Sequence, residues 1–148
     1  MATARNFFTE GEQKRIVEAI SLAEKDTSGE IRVHLENSAK PTALEKATVL
    51  FHKLGVQKTA ARNGVLIFLA VKDRQFAIVG DEGIHKLVPP DFWDSVRNIM
   101  QHHFKQGKFA DGLCAGIKLT GEKLKEFFPH EDNDVNELSD EISFSDND

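Results

Sequence analysis

The chain predicts an α/β fold, a three-layer α/β/α sandwich with a small mixed central sheet and helices on both faces. Three observations lead there. Val65-Leu66-Ile67-Phe68-Leu69-Ala70-Val71 is seven residues without a polar break, the pattern of a strand covered on both faces. Glu30 to Glu36 alternates strictly, with Ile31, Val33 and Leu35 on one side, the period of a half-buried strand. Around these lie segments with helical apolar spacing bounded by capping residues. Helices on both sides of a small sheet bury all three patterns at once.

In chain order, Thr9 and Glu12 have capping-box spacing and start a helix at about residue 10. Ile16, Val17, Ile20 and Ala23 form its stripe, and Asp26-Thr27-Ser28-Gly29 ends it. Glu30–Glu36 follows as a strand whose polar partners Arg32 and His34 imply a wetter face or an edge. Thr42 and Glu45 repeat the capping spacing before the stripe Leu44, Ala47, Leu50, Phe51 and Leu54, with Gly55 past its end. The central strand then turns at Lys72-Asp73-Arg74 into Phe76–Val79, a hairpin. Gly80-Asp81-Glu82-Gly83 follows where a central strand ends, the place of ligand loops in α/β sheets. After Pro89-Pro90, Asp91 is expected to cap a third helix with Phe92, Val96, Ile99 and His103 along one side, stopped by Gly107. Asp111 is expected to cap a fourth, with Leu113, Ile117, Leu124 and Phe127-Phe128 facing the core. Gly116 and Gly121 cost that helix about 1 kcal/mol each relative to Ala, which points to close packing. Trp93 and the two terminal phenylalanines are expected in the core.

At 148 residues the chain reads as one domain, residues 1–128, followed by an acidic tail, 129–148, expected to be disordered. The net charge of -5 conceals this division. The tail holds eight of the 24 carboxylates and no Lys or Arg, so the body is about +3 against -8. The bases do not cluster and few aromatics interleave with them, so no nucleic-acid partner is expected. No apolar stretch reaches the length of a membrane span and no apolar leader opens the chain. The single Cys114 fits a reducing, cytoplasmic setting, excludes a cysteine-rich zinc site, and reads as a small buried filler. A monomer is expected, with a protein as its partner.

Asp81, Glu82, Asp91 and Asp94 place four carboxylates within fourteen residues. Hard cations take several carboxylates, carbonyls and waters, and the glycines at 80 and 83 allow a sharp turn. Acids in a helix's first turn also serve as caps, which is the competing reading of Asp91 and Asp94. The order is not that of an EF-hand. Glu30, at the start of the first strand, is a fifth candidate, and Asn63 before Gly64 is first a turn signal. No two of the six histidines have zinc-protease spacing; His85 is the one that neighbours the acidic loop.

The segments Ser28-Gly29-Glu30-Ile31-Arg32-Val33, Arg62-Asn63-Gly64-Val65-Leu66-Ile67 and Phe76-Ala77-Ile78-Val79-Gly80-Asp81, with Gly83-Ile84, carry a resemblance. So do Phe104-Lys105, Gly107, Phe109 and Gly112-Leu113. Together, over about residues 8 to 128, the chain resembles the TPM-domain family. The resemblance implies an αβα sandwich whose crossing loops hold divalent cations, usually calcium. It implies a regulatory or interaction module, with Asp81 as central metal ligand helped by Glu82, Asp91, Asp94 and Glu30. An all-oxygen site also accepts magnesium or manganese. A phosphatase activity is attributed to some members; here it would act on phosphomonoesters through the metal, because an Asp-x-Asp after an apolar strand and a Cys-x5-Arg loop are missing. Many members carry a signal peptide and a membrane anchor or Gly-rich tail, which this chain lacks, so a stand-alone domain is expected. Many also have Gly-aromatic-Gly where this chain has Gly-Asp-Glu-Gly.

Overall fold

A computed structural model describes residues 3–130 and 137–144. The helices are α1 (Glu10–Glu24), α2 (Ala43–Lys53), α3 (Glu82–His85), α4 (Asp94–Lys105) and α5 (Phe109–Lys125). The strands are β1 (Glu30–Glu36), β2 (Gly64–Ala70), β3 (Gln75–Gly80) and β4 (Ser143–Phe144). They form one sheet in the order β3-β2-β1-β4. β1 runs parallel to β2 and to β4, and β2 is antiparallel to β3. The sheet is therefore mixed, and β2, buried at every position, is interior as its apolar run requires.

Two cores result from the alternation of the strands. Ile31, Val33, Leu35, Val65, Ile67 and Leu69 pack with Ile16 and Ile20 of α1, Met100 of α4 and Leu113 and Ile117 of α5. The opposite sheet face packs Leu66, Phe68 and Ala77 against Ala43, Ala47 and Phe51 of α2. This is the three-layer α/β/α arrangement. Gly116 and Gly121 are the close approaches their positions imply. A Cβ on Gly116 would stand 2.5 Å from Met100, and one on Gly121 2.9 Å from Ala23.

Thr9 closes a full capping box on α1, and Thr42 accepts from the Glu45 N–H at the start of α2. Leu44 differs from its expected place: it is exposed, because Ala43, Ala47 and Phe51 set the buried face. Asp91 and Asp111 are not the helix caps expected of them. Phe92 and Trp93 are buried, so the chain stays in turns after Pro89 and α4 begins only at Asp94. α5 begins two residues before Asp111, with Phe109 packed on Phe7 and stacked on Phe104; the Asp111 carboxylate accepts instead from Arg15 at 2.8 Å.

The acidic segment is the larger difference. Its expected disorder at residues 131–136 and 145–148 lies outside the described residues, but residues 137–144 are ordered against the body. Ser143 and Phe144 pair with His34 and Leu35 of β1. Leu138, Ile142 and Phe144 pack on the two cores, and the Arg5 guanidinium lies 5.1 Å from the Phe144 ring centre. Three apolar side chains outweigh the charge of the run that contains them. Cys114 is half-buried, and burial raises its thiol pKa.

Candidate functional site

Asp81 follows β3 directly. Gly80 pairs with Val65, and the next N–H, that of Asp81, donates to Gly64 O at 3.0 Å. Glu30 pairs with the same Gly64 from the β1 side. The register thus sets Glu30, Gly64 and Asp81 in one row across the end of the sheet. The segment before β2 folds over this end. The Asn63 N–H donates to Thr59 Oγ1, and Asn63 Nδ2 reaches Ser28 Oγ at 3.5 Å. Asn63 is buried and ties loops together rather than facing outward.

The two loops cross at Gly83. Its N–H donates to Arg62 O at 3.0 Å, and a Cβ there would stand 2.4 Å from Ala61 O and 2.5 Å from Arg62 O. Those neighbours are backbone and cannot turn aside. Gly83→Ala is therefore expected to cost about 1–3 kcal/mol, the range for overpacking a tight site. Gly11→Ala, where the nearest atom is 3.9 Å away, is the control and should be neutral or stabilising. Denaturant titration of both variants measures the difference, and equal stabilities would mean the loops part at no cost.

Asp81 is 5% exposed and caps α3 by accepting from the Glu82 N–H at 2.7 Å. Its two oxygens also accept from Arg62, Nε to Oδ2 at 2.7 Å and the second nitrogen to Oδ1 at 3.0 Å. A third guanidinium nitrogen lies 3.2 Å from Glu82 Oε1. Hydrogen bonding to Asp81 holds the Arg62 pKa above its ordinary value. The Arg62 backbone is in the left-handed region at φ 52°, which costs a non-glycine residue energy and aims its side chain across the loop. Arg62 opens one of the segments that carry the family resemblance, but it was not among the candidate site residues; a base on a loop crossing a buried acid is recognisable only once the loops are placed.

Of the five candidate carboxylates, Asp81 and Glu82 are brought together, on one guanidinium. Glu30 is buried beside them in register, but it accepts from the Leu138 N–H at 2.7 Å, and burial raises its pKa. Asp91 and Asp94 are exposed, and Asp94 pairs with Arg97 at 2.6 Å. No three acidic, His or Cys side chains converge on a cation position among the described residues. As arranged, the five do not fit a resident cation; the smaller set of Asp81 and Glu82 already surrounds a positive group of the chain's own. His85, in α3, is exposed.

The TPM domain profile matches residues 2–123, and the chain belongs to the TPM-domain family. The NMR structure of BA42 protein from the psychrophilic bacterium Bizionia argentinensis is 46% identical, with a TM-score of 0.91 over 98% of this chain and 100% of that one. The N-terminal domain of a P. gingivalis protein matches with a TM-score of 0.65 at 18% identity, over 84% of this chain and 82% of that one. The N-terminal domain of the cg2496 protein from Corynebacterium glutamicum matches with a TM-score of 0.61 at 14% identity, over 92% and 80%. These last two show the fold alone. No curated protein matches the chain. Among the described residues no helix is long and apolar enough to cross a membrane.

Proposed function

We propose that this domain is a regulatory or interaction module that responds to divalent cations, calcium before magnesium or manganese, at the Asp81–Glu82 loop. The observation that carries the reading is the Arg62 guanidinium held between the two carboxylates, which marks where this loop stabilises positive charge. A cation would act there in exchange with Arg62. The two partners are unequal in a way that suits exchange. Asp81 is buried and fixed by the Glu82 N–H, while the Arg62 side chain is 40% exposed and can return to water. Oxygen donors of this kind suit hard cations.

Binding to the folded state alone would stabilise it by about 2.7 kcal/mol at one hundred times Kd. Melting curves with and without millimolar calcium, on wild type, Asp81→Asn and Arg62→Gln, test the reading. The wild type should gain stability and Asp81→Asn should lose most of that gain, since asparagine still caps a helix but carries no charge. Arg62→Gln, freed of the internal competitor, should bind calcium more tightly. Equal gains in wild type and Asp81→Asn would remove Asp81 from the site, and no gain in any of the three would end the cation reading. The alternative, a metal-dependent phosphatase of phosphomonoesters, rests on the family and not on a nucleophile at this loop. Turnover of a phosphomonoester by calcium- or magnesium-loaded protein, lost in Asp81→Asn, would favour it.

A further inference from the structure

β1 turns a wholly titratable row, Glu30, Arg32, His34 and Glu36, toward the side of the sheet that α2 occupies. α2 itself packs on β2 and β3, so this row is covered by the segment 137–143 instead. Three members of the row are hydrogen-bonded, two of them to that segment. Glu30 accepts from the Leu138 N–H, and His34 meets Ser143 Oγ at 2.7 Å and Glu36 at 3.1 Å. Arg32 is matched only in part. One terminal nitrogen donates to Ser139 O at 3.0 Å, but its Nε–H is buried without a hydrogen-bond partner among the described residues. Burial lowers the Arg32 pKa, and the charge of Glu141 opposes that shift. A partly buried cation with one N–H left without an acceptor is costly unless something pairs with it.

Beside Arg32 is a hollow of about 340 Å³, walled by the end of α2, the turn at Gly55 and residues 137–139. That volume lies within the roughly 300–1,000 Å³ of small-ligand clefts. Lys53 and Lys58 also line it, and neither makes an ion pair among the described residues. One carboxylate, Glu137, lies on the wall and is turned onto the Ala60 N–H at 3.3 Å.

We propose that this hollow is an oxyanion site that takes a phosphate or the phosphoryl group of a small molecule, with the Arg32 guanidinium on its wall and the exposed Lys53 and Lys58 lining it. A planar guanidinium with an N–H left unpaired is suited to oxyanion geometry. Three cations outnumber the wall carboxylate Glu137 and the nearby Glu141, so the hollow favours an anion. The site is separate from the Asp81 loop and does not depend on a cation binding there.

The test follows the Arg32 Nε–Hε NMR resonance of the full chain during titration with inorganic phosphate and, separately, phenyl phosphate, with chloride at matched ionic strength as control. A saturable shift with half-saturation at or below about 1 mM is expected, with none from chloride. Tighter binding of phenyl phosphate would identify a phosphorylated small molecule as the ligand; equal binding would identify the bare oxyanion. Lys53→Gln with Lys58→Gln changes only exposed side chains and should weaken binding by about tenfold or more. Arg32→Gln should abolish the shifts of neighbouring amides; if that variant does not fold, the lysine pair still decides. A shift that never saturates, or affinity unchanged in the double-lysine variant, would overturn the proposal.

Discussion

Phe68→Ala is expected to destabilise the domain by about 3–5 kcal/mol, and Ile67→Ala by about 2–5 kcal/mol. Both side chains are fully buried in the interior strand β2, but on opposite faces. Phe68 belongs to the core under α2 and stacks on His34 with ring centres 6.2 Å apart. Ile67 belongs to the larger core under α1, α4 and α5. The pair therefore probes both layers, each by emptying a space that the rigid sheet cannot close. Urea titration of the two variants beside Val49→Ala, an exposed control expected within about 0.5 kcal/mol of wild type, gives the comparison. Losses under about 1 kcal/mol at both positions would place the cores elsewhere.

Ending the chain after His130 is expected to lower the melting temperature by more than about 5 °C, a large shift for a domain of this size. The truncation removes Leu138, Ile142 and Phe144 from the cores and takes away the Leu138 N–H from the Glu30 carboxylate. It also removes Ser143 from His34 and Asp140 from Ser21. An acceptor left buried without its donor costs about 1–3 kcal/mol before any apolar area is counted. A fall of less than about 2 °C would show that the segment contributes little.

The same segment should make stability depend on pH. Burial, and then a hydrogen bond with Asp140, pushes the Glu24 carboxyl up from 4.5 to about 9; the Ile31 N–H and Glu30 also face it. Between those two values the folded chain keeps a proton that the unfolded chain has lost. This contribution is complete below the ordinary carboxylate pKa and declines as pH rises through about 9. Melting temperatures should fall from pH 5 to pH 9, and Glu24→Gln should flatten the slope. Identical slopes in the two proteins would assign the effect to other groups.

What the sequence by itself determined is what short-range rules govern. The period of each strand, the seven-residue run of β2, the Thr9 capping box and the glycines of α5 act through neighbours within a turn or two, and they define the three layers. The acidic loop was legible too, since two carboxylates between two glycines at a strand end follow from local order. Tertiary structure alone decided what those carboxylates face. Arg62 is nineteen residues from Asp81 and meets it only because β2 and β3 pair and their end loops cross. The place of residues 137–144 was equally hidden. Three apolar residues in an acidic run carry no recognisable strand period, and β4 exists only because β1, more than a hundred residues earlier, leaves an edge and a polar row that it can satisfy. Local propensity was decisive where partners are close in the chain. Long-range pairing, which joins groups only after the sheet has formed, assigned the rest.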